Sequence, residues 1–220
     1  FVRPSWVPQL ADADEVFNAV AHLQEEGRRL VALVPNLRGF SRARAAGCTN
    51  VAVFTSASEA FNKNNTNASI AESLKRFEPV CLNATADDVW VRGYISTAFH
   101  CPYSGQVEAE SVARIAENLA QMGCAEIVIS DTTGAAHPEQ VEEVLSQTLK
   151  RLPADSLALH MHDTSGRALS NVLAGWAMGI RRFDSAAGGL GGCPYAKGAT
   201  GNVATEDMLD ALFGRFCIGK

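Results

Sequence analysis

Long apolar runs and clusters of basic residues are both absent from this 220-residue sequence. Its longest apolar stretches, such as 30–35 and 51–54, are far shorter than the roughly 20 residues that a membrane-spanning helix needs. The formal net charge is −5, and no run of Lys and Arg offers a track for a phosphate backbone. We therefore expect a soluble protein whose partner is neither a membrane nor a nucleic acid.

Short, regular cysteine spacings are missing as well. The six cysteines include no Cys-x-x-Cys pair, and with 47% hydrophobic residues the chain can bury a core without disulfides. We predict reduced thiols in an intracellular compartment, by default the bacterial cytoplasm. A mitochondrial matrix location is the alternative, because the sequence begins at Phe1 and a segment upstream of it could hold a targeting signal.

The sequence does contain a regular alternation of two patterns. Six short runs rich in β-branched residues indicate strands buried on both faces, at 30–34, 51–54, 89–95, 126–130, 157–161 and 182–185. Helical signals lie between them, namely a capping box at Ser69 and Glu72 and the stretches 107–122, 138–152, 168–178 and 205–213. We expect three of these helices to end in a left-handed glycine, at Gly123, Gly179 and Gly214. Repeated strand–helix units predict a parallel sheet with right-handed crossovers.

Two architectures fit such a sheet, an open doubly wound sheet and a (β/α)₈ TIM barrel. Polar residues at or just after the strand ends are spread over five units, namely Asn36, Ser56, Asp131, His160, His162 and Ser185. A barrel gathers its functional groups at the carboxyl ends of many strands, so this spread favours the barrel. Since six strands do not close one, we expect a single barrel domain over 1–220 whose first two strands lie upstream of Phe1.

The sharpest local pattern is the pair His160 and His162. Residues i and i+2 of a strand point to the same face, so the two imidazoles can converge on one metal ion. Asp163 faces the other way and is expected to support the site or to cap a helix. Asp131 follows another strand, where it could serve as a catalytic carboxylate or cap the next helix, while Tyr94 could line a pocket or simply pack.

A glycine-rich loop over 188–202 is the second pattern. It fits neither the dinucleotide nor the nucleotide P-loop motif, and it carries one thiol, Cys193, between glycines. Such a thiol is a candidate acid or base, with an inert buried cysteine as the alternative. Asn202 at the end of the loop is either a neutral oxygen ligand or a helix N-cap.

These motifs together resemble the 3-hydroxy-3-methylglutaryl-CoA lyase family, within the superfamily of metal-dependent aldolases and acyl-CoA condensing enzymes. The segments that carry the resemblance are 6–9, 35–40, 92–94, 160–164, 188–196 and 198–207. They are spread over almost the whole chain. The loop around Cys193 is the specific part, because the wider superfamily shares the histidine pair.

The resemblance implies a (β/α)₈ barrel that cleaves 3-hydroxy-3-methylglutaryl-CoA to acetyl-CoA and acetoacetate, a reaction of leucine catabolism and ketone-body formation. It implies a divalent cation, Mg²⁺ or Mn²⁺, and possible homo-oligomers. The roles it implies are metal binding by His160, His162 and Asn202, action of Cys193 on the acetyl fragment, proton transfer by Asp131 and His160, and acyl-CoA contacts by Tyr94 and Asn65.

One departure from the family pattern matters for activity. The family carries an Arg-Asp pair on its first strand and a Glu on its second, and this chain has no such positions, so we expect little activity from these residues alone. Two other functions stay open. One is a related metal-dependent condensing enzyme or aldolase, which has no reason to carry the Cys193 loop, and the other is a non-catalytic acyl-CoA-binding protein.

Overall fold

The computed structural model describes residues 1–5, 7–25, 28–192 and 201–214. Its elements, in chain order, are α1 (Ala13–Val20), α2 (His22–Glu25), β1 (Val31–Leu33), α3 (Leu37–Ala45), β2 (Asn50–Ser56), α4 (Glu59–Thr66), α5 (Ile70–Ala86), β3 (Trp90–Ser96), β4 (His100–Cys101), β5 (Gly105–Gln106), α6 (Ala109–Gln121), β6 (Glu126–Asp131), α7 (Pro138–Thr148), β7 (Leu157–Met161), α8 (Ala168–Ala177), β8 (Phe183–Asp184) and α9 (Thr205–Phe213). None of the helices within these ranges is long and apolar enough to cross a membrane.

Six parallel strands form one sheet in the order β1-β2-β3-β6-β7-β8. The two remaining strands, β4 and β5, pair with each other as a small antiparallel hairpin between β3 and α6. Each strand of the large sheet therefore lies beside the one that precedes it, and every crossover steps in the same direction. A doubly wound sheet reverses its strand order partway, so the sequential order is that of a barrel wall with its helices outside.

The helices cover the outer face of this wall. Leu159 of β7 packs directly against Gly175 of α8, and Gly93 of β3 faces Leu119 of α6. The register places Ile127 and Ile129 of β6 on this same outer face, and both are fully buried. Burial of each such side chain contributes roughly 1.5–3 kcal/mol, which holds helices and sheet together. The intervening residues of each strand consequently face the barrel interior.

The helix ends follow the sequence signals with two exceptions. The capping box of Ser69 and Glu72 begins α5, and Gly123 adopts a φ of +106° just after α6, as a left-handed end requires. Gly214 after α9 instead keeps right-handed helical geometry, with φ −63°, so the expectation of a left-handed end there was wrong. The helix predicted over 138–152 ends at Thr148, where the amides of Arg151 and Leu152 turn back to its carbonyl.

Two loops meet at the carboxyl edge of the sheet, one after β6 and one after β7. Gly134 in the first has a φ of +65°, and a Cβ placed there would lie 2.7 Å from the backbone nitrogen of Thr164 in the second. A side chain at position 134 would therefore displace backbone. Gly166 has a similar φ of +68°, but its surroundings are open.

We predict that Gly134→Ala destabilises the fold more than Gly166→Ala. Both substitutions put Ala in a left-handed conformation, at about 1–2 kcal/mol. Only Gly134→Ala adds the cost of overpacking, about 1–3 kcal/mol. Urea unfolding of the two variants and of the parent chain measures the difference in unfolding free energy. Equal midpoints for the two variants would contradict the prediction, because they would show that the loops after β6 and β7 can move apart without loss of stability.

Candidate metal centre and catalytic site

The parallel register brings polar side chains from four strands to the interior face of the barrel. Residues paired across parallel strands point to the same side, and Ser130 pairs with His160, which in turn pairs with Asp184. Arg92 and Glu126 are paired in the same way between β3 and β6. The site is therefore built from side chains that are far apart in sequence.

His160 and His162 converge as their alternation predicts. The Nε2 atoms of the two rings are 3.3 Å apart, and the ring centroids are 5.2 Å apart. Two nitrogens that bind one cation at about 2.1 Å and at right angles would be about 3 Å apart, so the spacing suits a shared ion. Their role as ligands stays a prediction.

His162 is held in the form that binds metals. Burial, together with the neighbouring His160, lowers the pKa of His162 to about 4, so the ring is neutral near pH 7. Its Nδ1 atom is buried and has no hydrogen-bond partner among the residues that the structure describes. The ring thus directs Nε2 at His160, while its other nitrogen is buried without a described partner.

Asn202 is anchored beside His162. The two residues form an isolated antiparallel bridge, and the next amide, that of Val203, donates to the carbonyl of Met161 at 3.0 Å. On the other side, the Asn202 backbone amide donates to the carbonyl of Gly189 at 3.0 Å, and that of Gly201 donates to Gly191 at 3.0 Å. These bonds fix the position of Asn202 from both sides.

Among the described residues, one hydrogen bond orients the Asn202 side chain. Its Nδ2 donates to the carbonyl of Leu190 at 2.8 Å, which leaves Oδ1 buried and, within the described ranges, without a partner. An orphaned buried oxygen costs about 1–3 kcal/mol, and a cation would offset that cost. The helix-capping alternative for Asn202 was wrong, because α9 begins at Thr205 and its N-cap is Ala204.

The donor set fits a divalent cation only in part. Two imidazole nitrogens and an amide oxygen are available, and an octahedral ion takes about six ligands. In the part of the chain that is described, no group of three or more His, Cys, Asp and Glu side chains is placed to hold a metal. If His160, His162 and Asn202 bind a cation as predicted, they would supply about half of its ligands, and substrate, water or further residues would supply the rest.

A charged cluster that the sequence analysis missed lies beside the histidines. Asp184 Oδ2 accepts a hydrogen bond from Tyr94 Oη at 2.9 Å and lies 3.1 Å from His160 Nδ1. Arg92 pairs with Asp184 Oδ1 at 2.8 Å and, through Nε, with Glu126 Oε1 at 2.6 Å. Burial alone would raise the pKa of Asp184, but the hydrogen bond from His160 and the charge of Arg92 outweigh it and hold that pKa below its usual range.

Tyr94 belongs to this cluster rather than to the apolar core. Its hydroxyl accepts from Arg92 at 2.7 Å, and its ring meets His160 edge-on, with centroids 6.2 Å apart. Burial, followed by the charge of Asp184, raises the pKa of Tyr94, so the phenol stays protonated. The available signal was a polar residue at every second position of β3, as in Arg92 and Tyr94, which indicates an interior polar face.

Asp131 is buried but points away from the histidine face. It pairs with Met161, whereas its neighbour Ser130 pairs with His160. The carboxylate accepts from the amides of Ala136 at 3.0 Å and Ala135 at 3.3 Å, which closes the loop after β6. Burial raises its pKa despite these bonds. The N-cap of α7 is His137, so the helix-capping alternative for Asp131 was wrong, and its carboxylate closes the loop before the helix instead. The catalytic role of Asp131 stays a prediction.

The other sequence candidates have separate positions. Asp163 is exposed, and its Oδ1 accepts from the amide of Ala168 at 2.9 Å, so the helix-capping prediction is confirmed. Asn65 lies half-buried in α4, and its contact with acyl-CoA stays a prediction. Cys193 lies outside the described residues.

Comparison with known proteins decides the family. A family model described as HMGL-like matches residues 5–216. The chain belongs to the HMGL-like family. Hydroxymethylglutaryl-CoA lyase of Pseudomonas mevalonii is 50% identical over 97% of this chain, and the cytoplasmic 3-hydroxy-3-methylglutaryl-CoA lyase of Mus musculus is 49% identical over the same share. The predicted resemblance is confirmed, and the named members of the family are carbon–carbon lyases.

Solved structures of the HMGL-like family share the fold. The HMG-CoA lyase of Brucella melitensis matches 98% of this chain with a TM-score of 0.93 and 46% identity. An HMG-CoA lyase of A. baumannii, in complex with coenzyme A and 3-methylmalate, matches 100% of the chain with a TM-score of 0.90 and 36% identity. The six-stranded sheet is accordingly part of a (β/α)₈ barrel, as predicted.

This chain is shorter than the relatives that it matches. It spans 70% of the Pseudomonas mevalonii protein and 62% of the mouse protein. It spans 75% of the Brucella melitensis structure and 70% of the A. baumannii structure.

We predict that Asp131→Ala destabilises the chain by about 2–4 kcal/mol, because it leaves the buried amide of Ala136 without a hydrogen-bond acceptor and removes a second bond, from the amide of Ala135. Asp163→Ala is the matched control, since it removes one exposed capping bond and should cost about 1 kcal/mol. Urea unfolding measures both values. An Asp131→Ala variant as stable as Asp163→Ala would contradict the loop-closing role.

Proposed function

We propose that the protein cleaves 3-hydroxy-3-methylglutaryl-CoA to acetyl-CoA and acetoacetate. The observation that carries the proposal is the convergence of the His160 and His162 Nε2 atoms beside the anchored Asn202. This arrangement lies at the carboxyl ends of the strands, where a barrel performs its chemistry. The high identity to curated lyases supports the same reaction.

His160, His162 and Asn202 would hold a divalent cation, Mg²⁺ or Mn²⁺. When bound, such an ion supplies Lewis-acid polarisation of substrate oxygens and a template that orients them. The chain's part is to fix three donor atoms and to exclude competing protons. It does so by burying His162 and by tethering Asn202 to the carbonyl of Leu190.

The two roles that the family resemblance implies for His160 compete with each other. A ring with Nε2 directed at a cation and Nδ1 bonded to Asp184 has no nitrogen left for proton transfer. We assign His160 to binding only. Asp131 also helps to hold His162 in place, because its backbone carbonyl accepts from the amide of His162 at 3.3 Å. Assistance of proton transfer by its carboxylate stays a proposal.

Cys193 is the proposed proton donor for the acetyl fragment. Cleavage of the carbon–carbon bond leaves an enolate whose electron pair lies on the carbon α to the thioester, and transfer of the thiol proton to that carbon completes acetyl-CoA. As the hydroxyl oxygen becomes the ketone of acetoacetate, its proton is released to water, and the thiolate takes up one proton from water, so the reaction consumes no net proton. A related aldolase or condensing enzyme needs no thiol in this loop, so Cys193 distinguishes the lyase from these alternatives.

The proposed partner is a small acyl-CoA molecule. It is supported by the coenzyme A complex of the A. baumannii relative. Tyr94 and Asn65 are proposed to contact it. We also propose that the chain forms homo-oligomers and that it works in the bacterial cytoplasm, with the mitochondrial matrix as the alternative.

In a chain that carries the complete barrel, Cys193→Ala should lower kcat for cleavage by about 10²- to 10⁴-fold, the usual contribution of general acid–base catalysis, while KM changes only a few-fold. The reason is that substrate is held by residues on other elements. Acetoacetate release measured over a range of substrate concentrations separates the two constants. A near-normal kcat would show that Cys193 takes no part in the reaction, and it would favour another metal-dependent barrel enzyme over the lyase. Unimpaired substrate binding by a parent chain that cleaves nothing would favour the binding-protein alternative.

His162→Ala removes a proposed metal ligand and should weaken Mn²⁺ binding by more than about 100-fold. Loss of only the hydrogen-bond partner of a ligand typically weakens metal binding by about 10- to 100-fold. Titration calorimetry of the metal-free chain measures the affinity. His22→Ala is the control, since His22 is an exposed histidine of α2. Equal affinities in the two variants would place the ion elsewhere.

A further inference from the structure

Asp184 lies where three polar side chains of the site meet. It is in β8, and its carboxylate is 19% exposed. One oxygen, Oδ1, pairs with Arg92, and the other, Oδ2, accepts from Tyr94 and faces His160 Nδ1. The sequence analysis assigned it no role.

We propose that Asp184 is a positioning residue that fixes the tautomer and direction of the His160 ring. A carboxylate beside a guanidinium acts only as an acceptor, so the His160 Nδ1 atom at 3.1 Å must carry the proton. A neutral imidazole has one N–H, and the lone pair is therefore on Nε2. That is the atom 3.3 Å from His162 Nε2, on the side where the two rings converge.

The carboxylate cannot rotate away from this position. Arg92 occupies Oδ1 and is itself held by Glu126 at 2.6 Å, and Glu126 also pairs with Arg182 at 3.2 Å. This series of ion pairs joins β8, β3 and β6. Oδ2 is consequently left facing His160, and Tyr94 restrains it from the side. The inference rests on the proposed function, because it assigns the Nε2 atom of His160 to a cation.

Asp184→Asn should reverse the tautomer. An amide has one acceptor oxygen and one donor NH₂, whereas Arg92 has only donors, so the oxygen must face Arg92. The NH₂ then faces His160 Nδ1, which becomes an acceptor and moves the proton to Nε2. The substitution is nearly isosteric, and it blocks the nitrogen proposed to bind the metal.

Tyr94→Phe is the matched control. It removes the other hydrogen bond to the same Oδ2 atom and leaves His160 its acceptor. A general loosening of the cluster would affect both variants, whereas the proposed role of Asp184 predicts a change of tautomer only in Asp184→Asn.

Long-range proton–nitrogen correlation NMR reports which ring nitrogen of a histidine is protonated. It is recorded on the isotope-labelled, metal-free chain at a pH well above the ordinary histidine pKa of about 6.5. We expect Nδ1–H at His160 in the parent chain and in Tyr94→Phe, and Nε2–H in Asp184→Asn. If His160 of the parent chain carried its proton on Nε2, the proposal would be overturned by the parent chain alone. The test therefore does not depend on whether Asp184→Asn folds. An unchanged tautomer in a folded Asp184→Asn would overturn it too.

Mn²⁺ titration of the same three chains completes the experiment. Asp184→Asn should bind about 10- to 100-fold more weakly than the parent, and Tyr94→Phe within a few-fold of it. A parent chain with the expected tautomer but no Mn²⁺ affinity would refute the proposed metal site and not the positioning role. If the His160 tautomer changed in Asp184→Asn but Mn²⁺ affinity stayed like that of the parent chain, the proposed dependence of metal binding on the tautomer would be overturned.

Discussion

The buried guanidinium of Arg92 is the constraint on which this end of the barrel depends. Its side chain is 13% exposed, and removing one partner of a buried ion pair costs about 3–5 kcal/mol. Its charge therefore requires carboxylates on the neighbouring interior positions, which Glu126 and Asp184 supply. Because Asp184 also faces His160, the charge balance of the barrel interior sets the direction of the proposed metal-binding ring.

Strand alternation divides the wall into two functions. Outward residues such as Leu159 bind the helices, and inward residues such as His160 form the site. A shift of one residue in any strand would exchange these sets, so the packing of the helices and the chemistry of the interior are specified together. Asp131 illustrates the division, because it follows the outward pattern and closes a loop, while Ser130 faces the histidine.

Sequence reasoning could predict what depends on local pattern. The strands, the barrel order and the shared face of His160 and His162 follow from periodicity and alternation, and the start of α5 follows from its capping box. The hairpin of β4 and β5 was not predicted, since its two-residue strands have no periodicity. The role of Asp184 depends on contacts with β3 and β7, which no local pattern encodes.

The backbone bonds around Asn202 have a consequence for how the family can vary. Gly201 and Asn202 bond back to Gly191 and Gly189, so the chain enters and leaves the glycine-rich segment at one point. The position of Asn202 is set at this junction and by the strand on its other side. Gly189, Gly191 and Gly201 all have a positive φ, and a Cβ at Gly191 would lie 2.5 Å from the Asn202 Nδ2 atom. Variation in the family is therefore restricted at this junction, where a side chain would displace the amide that the site uses.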